Sequence, residues 1–210
     1  MATGKIGDEL RVTSADVEGR REAQALARTD VRRALAVARA IRHPWYRCQA
    51  LSSVAEAMSK AQGRDAVLTQ SVDAAFEQSE PNRVACVGSW PLRIMVGLGD
   101  AGASGLVARL LAALEDEPHG LRRLDGLAAV LGPLLPFEDL RAKAWRPFLA
   151  AAQISTGWRT ERIVSWMAVA LAVYDRPAAL ELLKGREANR FTTKARTAID
   201  AMLPDAKRMK

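Results

Sequence analysis

Apolar residues between Pro44 and Met58 recur at intervals of three and four, which predicts an α-helix with one apolar face. Pro44 suits the first turn of that helix, where a backbone N–H has no helical partner in any case. The preceding segment, 34–41, has a similar pattern and ends before His43 and Pro44, because proline cannot continue a helix. The two segments together predict a pair of helices joined by a short proline turn.

The same pattern recurs three times downstream. Aligned on arginine, each copy has a small residue at plus three and large apolar residues at plus four and plus seven. The aligned arginines are spaced by 36, 40 and 39 residues, and they are Arg47, Arg83, Arg123 and Arg162. Periods of this length belong to two-helix repeats that stack and share a core. The alignment predicts burial of the plus-four residues, which are Leu51, Val87, Leu127 and Trp166.

These repeats predict an all-α fold, a right-handed α-solenoid of about four to five antiparallel helix pairs. We expect a single helical-repeat domain over 14–203, with a flexible N-terminus at 1–13 and a basic tail at 204–210. Ser14 is a candidate N-cap for the first helix. Pro91 lies inside a predicted helix and is expected to kink or break it. A last, degenerate pair is predicted over 177–183 and 187–202.

The segment ALAVARAIRHPWYRCQALSSVAEAM, residues 34–58, resembles a bacterial α-helical repeat related to the HEAT and TPR classes. The likeness is good over this segment and loose elsewhere. It implies a superhelical scaffold that binds partners, and it carries over no catalytic residue.

Composition bears on the kind of partner and on the cellular location that we expect for such a fold. The net charge is +7, which permits an anionic partner without requiring one. The two cysteines, Cys48 and Cys86, fall on predicted helices, so we expect no disulfide framework and a cytoplasmic location. The first ten residues contain no apolar signal core. The longest apolar run, 163–174, is shorter than the ~20 residues that span a bilayer, so we expect no membrane segment.

Arginines interleaved with aromatic residues form two candidate partner-binding clusters, a combination that suits proteins and nucleic acids alike. The members are Arg42, Trp45, Tyr46 and Arg47 in the first cluster, and Trp158, Arg159 and Arg162 in the second. The alternative is a structural role, in which each arginine bonds helix carbonyls or a nearby carboxylate. We expect that structural role for Arg83 and Arg123, which follow Glu80 and Glu117 in the sequence.

A glycine pattern, GxGxxG, spans Gly97 to Gly102 and is typical of dinucleotide-binding loops when it follows a strand and opens a helix. Residues 92–96 would supply the strand, but no second strand ending in an acidic residue follows. The pattern also falls where the repeat requires a turn. We therefore favour a turn over a nucleotide site and expect no bound cofactor.

Three functions remain open, and an enzyme is the least favoured of them. The leading hypothesis is a non-catalytic scaffold that binds a protein partner, for which a regulatory or inhibitory role is suitable. The alternative is a basic α-solenoid that binds nucleic acid. The second alternative is a nucleotide-dependent enzyme that uses the loop from Gly97 to Gly102. His43 and His119 are the only histidines and have no metal-ligand spacing, so no metal site is expected.

Overall fold

The computed structural model of the protein describes residues 11–202, and this part of the chain is all α-helical, with no β-strand. The predicted fold class is confirmed at this level. The described helices are α1 (Ser14–Leu26), α2 (Val31–Ala40), α3 (Pro44–Ala57), α4 (Arg64–Phe76), α5 (Pro81–Gly97), α6 (Ala103–Glu115), α7 (Gly120–Leu131), α8 (Glu138–Ile154), α9 (Trp158–Ala172), α10 (Arg176–Leu183) and α11 (Arg190–Ala201). Short 3-10 turns lie at Lys60–Gln62 and Gly132–Leu134.

The helix ends follow the local sequence signals closely. Pro44 and Pro81 occupy the first turns of α3 and α5, as the proline turns predicted. Thr13, rather than Ser14, caps α1, and its hydroxyl accepts the backbone N–H of Asp16. Of the kink or break expected at Pro91, the break is wrong, because α5 continues through this residue to Gly97, and the kink stays a prediction.

The chain divides into two compact units, with the boundary between Asp116 and Glu117. We call the part before this boundary unit 1 and the part after it unit 2. In unit 1, α3 packs against α1, α2, α4 and α5, and in unit 2, α9 packs against α7, α10 and α11. The single domain over 14–203 stays a prediction. Most of the predicted flexible N-terminus, residues 1–10, and the predicted basic tail at 204–210 lie outside the described residues.

The repeat alignment predicted the buried positions correctly in three copies. Val87 is fully buried, and Leu51 and Leu127 are each 2% exposed. In the fourth copy the expectation is wrong, because Trp166 is 59% exposed. The buried face of α9 instead includes Val164 and Ala168. Trp166 lies two residues from each of these, about 200° around the helix axis, which turns its side chain away from the core.

Small residues let neighbouring helices approach closely. Ala50 and Ala55 of α3 and Ala75 of α4 are fully buried. At Gly88 of α5, a β-carbon would lie 2.6 Å from a methyl group of Leu110 in α6, so only glycine fits this contact without a shift. None of the helices in the described part of the chain combines the length and apolarity needed to cross a bilayer.

Replacing Leu51 or Leu127 with alanine should lower the free energy of unfolding by about 2–5 kcal/mol, because each truncation leaves a cavity in a packed core. Leu180→Ala is the matched control, since Leu180 lies on a helix but is 40% exposed. Urea unfolding followed by circular dichroism measures the differences. Losses below about 0.5 kcal/mol at both Leu51 and Leu127 would contradict the assigned core.

Candidate partner-binding surface

Most side chains of the first predicted cluster make contacts within unit 1, and Arg47 is the clearest case. Its Nη1 donates to the backbone carbonyls of Ile41 at 3.3 Å and Arg42 at 3.2 Å, at the C-terminal end of α2. Its Nη2 forms an ion pair with Glu77, which caps the end of α4. Arg47 therefore joins three helices, and its predicted role in partner binding stays a prediction.

The aromatic residues of this cluster also contact their own unit. The ring of Tyr46 meets His43 edge-on at a centroid distance of 5.6 Å, and the guanidinium of Arg20 lies 5.5 Å from the centre of the Tyr46 ring. Trp45 is half-buried and packs against a small core cluster that includes Cys48. Arg42 is the exposed member of the four.

A buried carboxylate, Asp16, holds the turn between α2 and α3 that carries this cluster. Asp16 is 4% exposed and accepts the backbone N–H of His43 at 2.9 Å. It also accepts the hydroxyl and the backbone N–H of Thr13 at 2.6 and 2.9 Å. Burial by itself would raise the pKa of Asp16, but these hydrogen bonds, with one from the backbone of Arg42, lower it to about 2.

Arg83 and Arg123, the two arginines for which we expected a structural role, differ in their ion pairs. Arg83 pairs with Glu80 at 2.9 Å, within the first turn of α5, as a structural role requires. Glu117, with a side chain 1% exposed, pairs at 3.4 Å with Arg122 rather than with Arg123. The expected partner of Arg123 was therefore wrong by one position in the sequence.

The second predicted cluster differs, because it lies on the surface of unit 2. Trp158 is 55% exposed at the start of α9. The guanidinium groups of Arg159 and Arg162 lie 5.3 and 5.5 Å from the centre of its ring, within range of cation–π attraction. Among the residues that the structure describes, neither arginine forms a salt bridge. The structure thus brings these three predicted residues together.

Further apolar residues extend this cluster along the same side of α9. Trp166 is 59% exposed and Val173 is 66% exposed, with half-buried Val169 between them. Residues 158, 162, 166, 169 and 173 fall within an arc of about 80° at 100° per residue. A methyl group placed on Gly132 would lie 3.7 Å from the Trp166 ring, so this ring leans against the end of α7. We call Trp158, Arg162, Trp166, Val169 and Val173, with Arg159 beside them, the tryptophan–arginine face.

A polar network fixes the first turn of α9 from the other side. Arg186 donates to Glu161 and to the backbone carbonyl of Ala152 near the end of α8. It also donates to the carbonyl of Leu182 in α10, at 3.3 Å. Asn189, the N-cap of α11, lies 3.5 Å from the second oxygen of Glu161. The side chains of Arg186 and Glu161 are only 13% and 20% exposed, so this ion pair joins four helices in a largely buried setting.

A cavity of about 930 Å³ lies beside this network, and Trp158 and Phe191 are among the residues that line it. Several of its charged lining residues bond one another, as Arg186 does with Glu161 and Lys184 does with Glu181. The hydroxyl of Ser155 is buried there and has no hydrogen-bond partner among residues 11–202.

The remaining candidate chemistry lies in unit 1. Residues 92–96, the strand that a dinucleotide fold requires, lie inside α5. Gly99 has a φ of 65°, and Asp100 accepts the N–H of Gly102 at 2.7 Å, so the GxGxxG segment forms a turn. Cys48 is a free, buried thiol whose pKa is raised by burial to about 12. Within residues 11–202, no group of three or more His, Cys, Asp or Glu is placed to hold a metal ion.

Sequence reasoning missed Trp166 and Val173, because the repeat alignment assigned Trp166 to the core. The signal was present in the apolar run over 163–174. An amphipathic surface helix has one polar face, whereas α9 is apolar on opposite sides after its first turn. Such a helix has more apolar surface than one core contact can cover.

Comparisons with known proteins give no independent identification. No protein-family model, curated protein or solved structure matches this chain. The evidence for the candidate surface is therefore the geometry described above.

Asp16→Asn should remove a pH-dependent contribution to stability. The carboxylate has a pKa of about 2 in the folded chain against 3.8 ordinarily, so its stabilisation is present above about pH 4 and is lost as the pH falls toward 2. We expect the difference between wild type and variant to shrink by about 2 kcal/mol over that range. Urea unfolding at a series of pH values measures it. Asp73→Asn, at an exposed position of α4, is the control, and an equal change there would refute the assignment.

Arg47→Ala should lower the free energy of unfolding by about 1–3 kcal/mol, because it leaves the carbonyls of Ile41 and Arg42, just after α2, without their charged donor. Arg162→Ala should change stability by less than about 0.5 kcal/mol, since Arg162 is exposed and makes no ion pair among residues 11–202. Thermal and urea unfolding of the two variants decide the matter. Equal losses would show that the two arginines have the same role.

Proposed function

We propose that the chain is a non-catalytic helical-repeat scaffold that binds a protein partner through the tryptophan–arginine face of unit 2. The observation that carries the proposal is the exposure of two tryptophans, Trp158 and Trp166, along one side of α9. Tryptophan and arginine are the residue types most enriched among those that dominate protein–protein binding energy. Exposed apolar surface of this kind marks interaction sites in soluble proteins.

The apolar part of the face is large enough to contribute substantially to binding. A tryptophan side chain has roughly 200 Å² of surface, so a ring that is half exposed leaves about 100 Å² to be covered. At about 25 cal/mol per Å², covering both rings would contribute about 5 kcal/mol before the costs of association. Val173 adds to this total. A partner that covers the face would gain enough to offset much of the entropy lost on binding.

The packing of helices supports the repeat architecture. In unit 1, α3 contacts both α1 and α5, and in unit 2, α9 contacts both α7 and α11, so alternate helices stack on one another. Stacked helix pairs are the organisation of HEAT-like and TPR-like repeats. We propose on this basis that the units are built as an α-solenoid, with the right-handed sense and the four to five pairs that the sequence repeats imply.

Nucleic acid is the second candidate, and one observation favours it. Unit 2 has 16 Lys and Arg against 10 Asp and Glu, whereas unit 1 has 15 against 14, so most of the net positive charge belongs to unit 2. Arginines beside an exposed tryptophan suit a phosphate chain with unstacked bases. The aliphatic residues Val169 and Val173 do not, because they offer neither charge nor a stacking surface. This continuation of the face favours protein over nucleic acid.

The double variant Trp166→Ser, Val173→Ser tests the proposal in affinity capture from the native host, with and without nuclease treatment. The matched control is Val12→Ser, Leu98→Ser, which alters two exposed apolar residues of unit 1. We expect the wild type and the control to retain the same protein, and the α9 variant to retain at least tenfold less, with or without nuclease. Circular dichroism first confirms that both variants are folded.

Two results would count against the proposal. Equal capture by the α9 variant would show that this face is not the binding surface. Capture that nuclease abolishes, together with steeply salt-dependent binding of oligonucleotides by the purified protein, would favour the nucleic-acid alternative.

A further inference from the structure

We propose that the tryptophan–arginine face receives an amphipathic helix whose carboxylates lie at the end of the face beside Trp158. This inference rests on the proposed function and adds the chemistry of the partner. The face has two parts: Arg159 and Arg162 lie over Trp158 at one end, and Trp166 and Val173 are exposed toward the other. A partner that fits both parts needs apolar groups at one end and negative charge at the other.

The shape of the face favours a helix. It follows a single row of residues from 158 to 173, which at 1.5 Å per residue is about 22 Å long. A second helix of about 15 residues matches this length and presents a row of side chains at the same intervals. An extended strand would gain no main-chain hydrogen bonds along the middle of the face, because the carbonyls and N–H groups there already bond within the helix.

The charges at the N-terminal end favour carboxylates. Two guanidinium groups share the indole of Trp158, so each experiences the repulsion of the other. Glu161 is the only acidic residue of α9, and its oxygens already bond Arg186 and Asn189. The unit therefore supplies no carboxylate to Arg159 or Arg162 among its described residues. A partner's Asp or Glu would relieve the repulsion and pair with fixed, forked donors.

The same charges argue against a second copy of this chain as the occupant. In a symmetric antiparallel pairing centred on Trp166, the arginines of one copy would lie against Val169 and Val173 of the other. Guanidinium groups would then be buried against valine without a carboxylate, which is unfavourable. A parallel pairing would bring arginine against arginine.

Selection from a library of random 16-residue peptides displayed on phage tests the inference without knowledge of the natural partner. The full chain is the bait, and the enriched peptides are then measured against three variants. Trp166→Ser, Val173→Ser removes the apolar part, Arg159→Gln, Arg162→Gln removes the charge, and Arg32→Gln alters an exposed arginine of α2 as the control. We expect peptides with apolar residues at i, i+4, i+7 or i+8 and an excess of Asp and Glu at one end. Their affinity should fall at least tenfold in both double variants and stay unchanged in the control.

The possible failures are distinguishable. Peptides that depend on Trp166 and Val173 but lack acidic residues, or that carry proline within the binding segment, would overturn the acidic helix and leave the proposed function standing. Peptides that bind all three variants as tightly as the wild type, or an absence of enriched peptides, would overturn both. Self-association of the chain at micromolar concentration that Trp166→Ser, Val173→Ser abolishes would replace the acidic helix with a second copy.

Discussion

Close approach between helices is the constraint on which the rest of the structure depends. Alanine and glycine occupy the central contacts, as at Ala50 and Gly88, and leave no room for longer side chains. Long polar residues are therefore placed at the ends of helices, where backbone carbonyls lack helical partners. Arg47 and Arg186 both work in this way, each donating to carbonyls at a helix end while pairing with a glutamate. Small residues allow the helices to pack closely, and arginines connect the helix ends through hydrogen bonds and ion pairs.

Aromatic residues with arginines have different roles in the two units. In unit 1, Arg20 lies over Tyr46 and also donates to Gln49 at 3.1 Å, so both side chains belong to the packing between α1 and α3. In unit 2, Arg159 and Arg162 lie over Trp158 on an exposed helix face and have no carboxylate partner among the described residues. The arginine–aromatic contact is thus part of the helix packing at Tyr46, whereas it lies on the surface at Trp158. The candidate surface therefore differs from the cluster in unit 1 in the exposure of its side chains rather than in its composition.

The sequence was sufficient to predict most of the helices and, at Pro44 and Pro81, where they begin, because proline and capping residues act on their nearest neighbours. It also located the buried face of α3 and α7 through Leu51 and Leu127. It could not place Trp166, since the face that a helix buries depends on which helices it meets, and a shift of one residue rotates a side chain by about 100°. The carboxylate partner of Arg47 could not be predicted either, because Glu77 lies 30 residues away in the chain. The unit boundary after Asp116 has no proline or glycine signal that separates it from the other inter-helix turns.

The ion pair between Arg186 and Glu161 lies on one side of the first turn of α9, and the exposed arginines lie on the other side. Glu161 faces the joint of four helices, while its neighbour Arg162 faces solvent about 100° around the axis. Side chains at 159, 162, 166 and 173 are thus free to vary in charge and shape without loosening that joint. Duplicated copies of such a chain could acquire different partners by exchanging a few surface residues on one helix, while the fold beneath them stays the same.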